Sequence, residues 1–104
     1  MAKLLVLAGG IVERGAGQPG MVSAYVVLSE GSKSRLFKVR GPTDAPVVTE
    51  LDAATTVDIA RFRRELADDL DPVLAEIRAR GGSPGIAVPK PEWVTGIVER
   101  HLRG

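Results

Sequence analysis

The chain has 104 residues, enough for one modest core and too few for two, so residues 1–104 are expected to form a single domain. Its 44% apolar and 26% charged residues are the composition of a soluble globular protein, and the absence of cysteine excludes disulfides, thiolate metal sites and a cysteine nucleophile. A cytoplasmic setting fits that composition. The formal charge of +1 is unevenly spread. Residues 1–41 carry six Lys/Arg and two acids, residues 42–77 three and nine, and residues 78–104 five and two. That excludes a uniformly basic nucleic-acid binder and leaves room for a local basic face.

Leu4 to Ala8 is a continuous apolar run, too short to cross a membrane, and reads as a buried strand. Gly9-Gly10 marks a bulge or bend, after which Ile11-Val12 continue the strand. Glu13 to Gly20 is turn-rich, with three glycines and a proline. Residues 22–28 are β-branched and aromatic, and they end at the hairpin signal Ser29-Glu30-Gly31-Ser32. The return strand, Lys33 to Arg40, puts Arg35, Phe37 and Val39 on one face and Leu36, Lys38 and Arg40 on the other. The expected result is a three-stranded antiparallel meander.

Two prolines in five residues make Gly41 to Pro46 a loop. Beyond it, Leu51, Ala54, Ile59, Phe62 and Leu66 recur at helical spacing and predict a helix near 49–67, with Thr49 as N-cap and Asp52 three residues on. Asp71-Pro72 predicts a second helix, near 72–80, capped by Asp71 and stopped by Gly81-Gly82. Ile86 to Val88 is a short candidate strand. Val94, Ile97, Val98, His101 and Leu102 then trace an apolar stripe on a last helix from Pro91. The expected fold is α+β in the order β-β-β-α-α-β-α.

Gly17-Gln18-Pro19-Gly20, followed by the strand from Met21 to Leu28, resembles the glycine–proline turn and second strand of the ribonuclease H family. Glu50-Leu51-Asp52-Ala53-Ala54 is similar to that family's first long helix start, and Val88-Pro89-Lys90 to the segment before its last helix. The three motifs stand along the chain in the family's order. The resemblance implies a shortened ribonuclease H-like architecture. It also implies cleavage of RNA–DNA hybrids by Mg²⁺ or Mn²⁺ held among four carboxylates, since two metals must activate water and stabilise the leaving oxygen.

Residue by residue the carry-over is incomplete. Glu50 matches the helix glutamate, and Asp69 is the best candidate for the third acid. Ala8 stands where the first aspartate belongs, so Glu13 is the nearest substitute, and no acid lies near Ile97 or Val98 for the fourth. With two of four ligands missing, an interaction module without a cofactor is the favoured reading. Weak metal-dependent nuclease or nucleic-acid-binding activity through Glu50, Asp69 and Glu13 is the alternative. Glu50 and Asp69 also have simpler readings, as a first-turn acid and a solvated acid.

The basic strand Lys33, Arg35, Lys38, Arg40 could contact phosphates, or it could guard a sheet edge against aggregation, which is the favoured reading. Gly15 to Gly20 fits G-x-G-x-x-G, but a strand follows it rather than a helix, and Pro19 lacks a phosphate-binding amide. His101 is the sole histidine and lies on an apolar stripe, while Trp93 serves the core end or a dimer contact. A protein partner or self-association is therefore expected, and membrane insertion is not.

Overall fold

The computed structural model describes residues 2–15, 17–52 and 57–104. Four strands, β1 (Lys3–Val12), β2 (Met21–Glu30), β3 (Lys33–Pro42) and β4 (Val47–Leu51), form one antiparallel sheet in sequential order. Two helices complete it, α1 (Ile59–Ala79) and α2 (Pro91–Arg103). The α+β class and the meander through β3 match the sequence reading. So does the last helix from Pro91, and the structure departs from that reading in four places.

A fourth strand occupies Val47–Leu51, where a helix start was expected. Its residues pair from Arg40↔Val47 to Leu36↔Leu51, so Thr49 and Glu50 belong to a sheet and not to a helical first turn. Three consecutive β-branched or β-compatible residues after Pro46 suit a pleated surface better than a helix. The helix begins instead behind Asp58, whose carboxylate accepts the Arg61 amide at 3.1 Å. Ala53 and Ala54, part of the expected helix start, lie outside the described residues.

The two central helices are one, and Asp71 caps nothing. Pro72 lies inside α1, on its exposed side. An interior proline costs about 3 kcal/mol. Val73 and Leu74, both buried, follow it on the same apolar stripe as Phe62, Leu66 and Leu70. Burying each contributes roughly 1.5–3 kcal/mol, so continuing the stripe outweighs the break. Residues 86–88 give only a single bridge, Ala87 to Ile11, with both amides at 2.9 Å.

The register irregularity in β1 falls between Val6 and Ala8, at Leu7 rather than at the glycines. The bulge turns Leu7 and Ala8 towards α1 while Leu4 and Val6 face the opposite side. Gly10 has another role: a Cβ there would meet Ile86, Leu66 and Leu70 side-chain carbons at 2.9–3.0 Å, so its hydrogen lets α1 lie close to the sheet.

Each face of the sheet carries one helix. Alternation along β2 sends Val22, Ala24, Val26 and Leu28 to the α2 side, where they pack with Phe37, Val39, Val94, Ile97 and Val98. Tyr25 points the other way and joins Phe62, Leu66 and Leu70 of α1. The helices cover their faces unequally. Helix α2 crosses beneath all four strands, whereas α1 lies over β1 and β2 alone. Strands are about 4.8 Å apart and a helix is about 10 Å across, so one aligned helix roofs two strands. Beyond Leu36, which is buried in the α1-side core with Leu51 packed against that core, no described helix covers the α1 side of β3 and β4.

Candidate functional site

The boundary between roofed and bare strands is a polar seam. Two cross-strand rows set it up: Tyr25 lies beside Lys38 and Lys38 beside Thr49, while Ser23 lies beside Arg40 and Arg40 beside Val47. Period-2 alternation places all six side chains on the α1 face. Helix α1 runs along this row, and residues four apart on its flank, Glu65 and Asp69, reach down to it.

Asp69 is the hub. Its Oδ2 accepts from Ser23 Oγ at 3.0 Å and from Lys38 Nζ at 2.9 Å, and Oδ1 faces Arg40 Nε at 3.6 Å. Ser23 is fully buried, so this bond satisfies a hydroxyl that water cannot reach. One turn earlier, Tyr25 Oη donates to Glu65 Oε2 at 2.5 Å, and Glu65 Oε1 accepts from Arg61 Nε at 2.9 Å. The Tyr25 ring stacks on Phe62, with centroids 4.1 Å apart, while Lys38 Nζ sits 5.3 Å from its centroid.

The seam perturbs three protons. Burial and the bond to Glu65 push the Tyr25 hydroxyl above its ordinary 10.0. Burial alone would lower Lys38, but its bonds to Asp69 and Tyr25 outweigh that and leave it above 10.5. The Tyr25 and Arg61 hydrogen bonds hold Glu65 below 4.5. For Tyr25 and Lys38 the folded state binds the proton more tightly, so their stabilisation is complete below about pH 10 and is lost as pH rises through the folded values. For Glu65 it is present above 4.5 and lost as pH falls through the folded value. Urea midpoints should accordingly decline as pH rises above about 10, and less steeply in Tyr25→Phe. Equal slopes for the two proteins would remove Tyr25 from the account.

Beyond the seam the bare strands form a shallow groove of about 430 Å³ lined by Met21, Lys38, Arg40, Val47, Thr49 and Leu51. Val47 is 63% exposed. No sequence signal flagged this groove, because it depends on where α1 stops.

The structure separates the acids that the sequence singled out. Glu50 lies beside Phe37 on the α2 face, held by Arg35 through bonds of 3.0 and 2.7 Å. Asp69 is on the α1 face, so the sheet stands between the two. Glu13 is exposed in the loop after β1. Among the described residues, no group of three or more His, Asp or Glu side chains gathers as a metal site would require. The basic strand also divides. Lys38 and Arg40 face Asp69, Arg35 faces Glu50, and Lys33 is exposed opposite Glu30 at the hairpin. Arg35 lies 5.2 Å from the centre of the Phe37 ring, and His101 meets that ring edge-on with centroids 6.4 Å apart. Trp93 is half-buried against the α2-side core.

Among the described residues no helix is long and apolar enough to cross a membrane. No protein family, curated protein or solved structure matches the chain.

Proposed function

We propose that this chain is a non-enzymatic interaction module whose contact surface is the outer edge of β4 and the bare sheet face beside it. One observation carries the reading: β4 displays Val47 at 63% exposure beside a groove that no described element covers. An exposed apolar residue on a sheet edge adds little to folding and invites contact. Lys38 and Arg40 give the groove a polar wall anchored by Asp69, which fixes their positions. An apolar strip with a rigid charged margin has the make-up of a contact surface, with Arg40 the more exposed of the two cations.

The four cations of β3 are not offered as a phosphate-binding strip. Arg35 and Lys38 project from opposite faces and each already holds a carboxylate. The ribonuclease H-like architecture belongs to the proposal as well. It is supported by the Gly17 to Gly20 turn feeding β2 and by Val88-Pro89-Lys90 directly ahead of α2, while Glu50-Leu51 falls in a strand. A cytoplasmic setting is proposed on the cysteine-free composition alone.

Val47→Glu tests the surface. An exposed substitution stays within about 0.5 kcal/mol, so the thermal midpoint should move by no more than about 4 °C. Cross-linking in cells should trap the wild-type chain in complexes, with itself or with other proteins, that the variant no longer forms. The same cross-linked species in both would refute the surface.

A further inference from the structure

We infer that the occupant of this surface is a second copy of the chain, joined through the outer edges of two β4 strands paired antiparallel about Thr49. The inference rests on the contact surface proposed above and names its partner.

The two edges of the sheet differ in how they are guarded. On β1, Lys3 opens the strand, a bulge sits at Leu7, and the Ala87 bridge to Ile11 closes the far end. These are the usual devices that keep a free edge from pairing. The β4 edge is preceded by Pro46, and its one charge, Glu50, is tied back by both Arg35 bonds on the α2 face. Among the described residues nothing pairs with its outer side.

Its side-chain order is self-complementary. A two-fold axis through Thr49 sets Val47 opposite the partner's Leu51 on the α1 face, twice, with the two threonines face to face between them. Directly opposed residues in an antiparallel pair interact: a Thr–Thr pair is favourable, and Val47 and Leu51 bury apolar surface against each other. Val48 meets the partner's Glu50 on the other face, so no like charges are opposed. The Lys38 and Arg40 side chains stay one strand back on each chain. Three strand spacings, about 14 Å, then separate them from their counterparts, beyond the screening length of about 8 Å at physiological salt. The joined sheet has eight strands, and its exposed Val47 is covered laterally by the partner's Leu51. A foreign strand could add to the same edge, but it would have to supply this pattern, whereas the chain itself already does.

A five-residue ladder on each chain is a small interface, so association should depend on concentration in the micromolar range. Sedimentation velocity should show a monomer–dimer equilibrium there, and a monomer throughout would overturn the inference. The absence of native cysteine makes the geometry readable. Opposed Cα atoms in such a pair lie about 4.5–5.5 Å apart, within disulfide reach. Thr49→Cys should therefore oxidise to a linked dimer more than about 10-fold faster than Ser34→Cys, an exposed control at the opposite end of β3. A dimer in which the two variants link at equal rates would also overturn it. If the wild type is monomeric yet Val47→Glu still loses a foreign partner, this inference fails and the contact surface stands.

Discussion

Phe62→Ala is expected to lower the unfolding free energy by about 3–5 kcal/mol, enough to consume much of the about 5–15 kcal/mol of a domain this size. Phe62 is 2% exposed and lies flat on Tyr25, the planes 7° apart and the centroids 4.1 Å apart. Truncation removes that stacking and leaves a ring-sized gap beneath the first turns of α1. Glu65, three residues on, would then no longer hold the Tyr25 hydroxyl in a water-excluded position. Phe62→Leu retains most of the apolar volume and should cost about 1–1.5 kcal/mol. Urea titration followed by the fluorescence of Trp93, the only tryptophan, reads both variants from the opposite face of the sheet. A loss under about 1 kcal/mol for Phe62→Ala would mean that α1 is held elsewhere.

The first three strands and α2 were legible because their signals are local. Residues 22–28 are β-branched and aromatic, and Val94, Ile97 and Val98 repeat at helical spacing. The opposite faces of β3 followed from alternation alone. What failed were choices between local rules of similar strength. Leu51, Ile59, Phe62 and Leu66 fit a helical period although Leu51 belongs to a strand and the other three to α1. Thr49 and Asp58 are both acceptable caps, and only the β3 partner of Val47–Leu51 decides between them.

Pro72 reads as a boundary on propensity alone, and the burial of Val73 and Leu74 offsets it. The polar seam was half legible. Glu65 and Asp69 are one helical turn apart, about 6 Å along the axis, and Tyr25/Ser23 and Lys38/Arg40 are two strand residues apart, about 6.7 Å. Such matched spacings let a helix flank and two strands pair rung by rung. The sequence cannot reveal that α1 lies with this flank over β2, because that depends on the rotation of the helix across the sheet. The bare face of β3 and β4 follows from the same unread fact.

Asp69→Ala should cost about 2–3 kcal/mol. The residue is at once acceptor for a buried hydroxyl and counter-ion for two cations. Deleting it strands Ser23 Oγ, which has no access to water, and leaves the Lys38 ammonium, 22% exposed, without its carboxylate. An unpaired buried donor costs about 1–3 kcal/mol, and breaking a buried ion pair costs more than the pair itself contributes. The remaining exposure of Lys38 and Arg40 keeps the total at the lower end, since water can approach both. Asp69→Asn separates the two contributions. Its amide oxygen still accepts from Ser23, so the variant should lose roughly half as much, through the lost charge alone. Ser23→Ala combined with Asp69→Ala should cost less than the sum of the single changes, because the second removes an acceptor whose donor is already gone. The double-mutant cycle, measured by urea titration at pH 7, therefore reads the Ser23–Asp69 bond directly. Strict additivity would place Ser23 outside the seam and leave Asp69 as a counter-ion for Lys38 and Arg40 only.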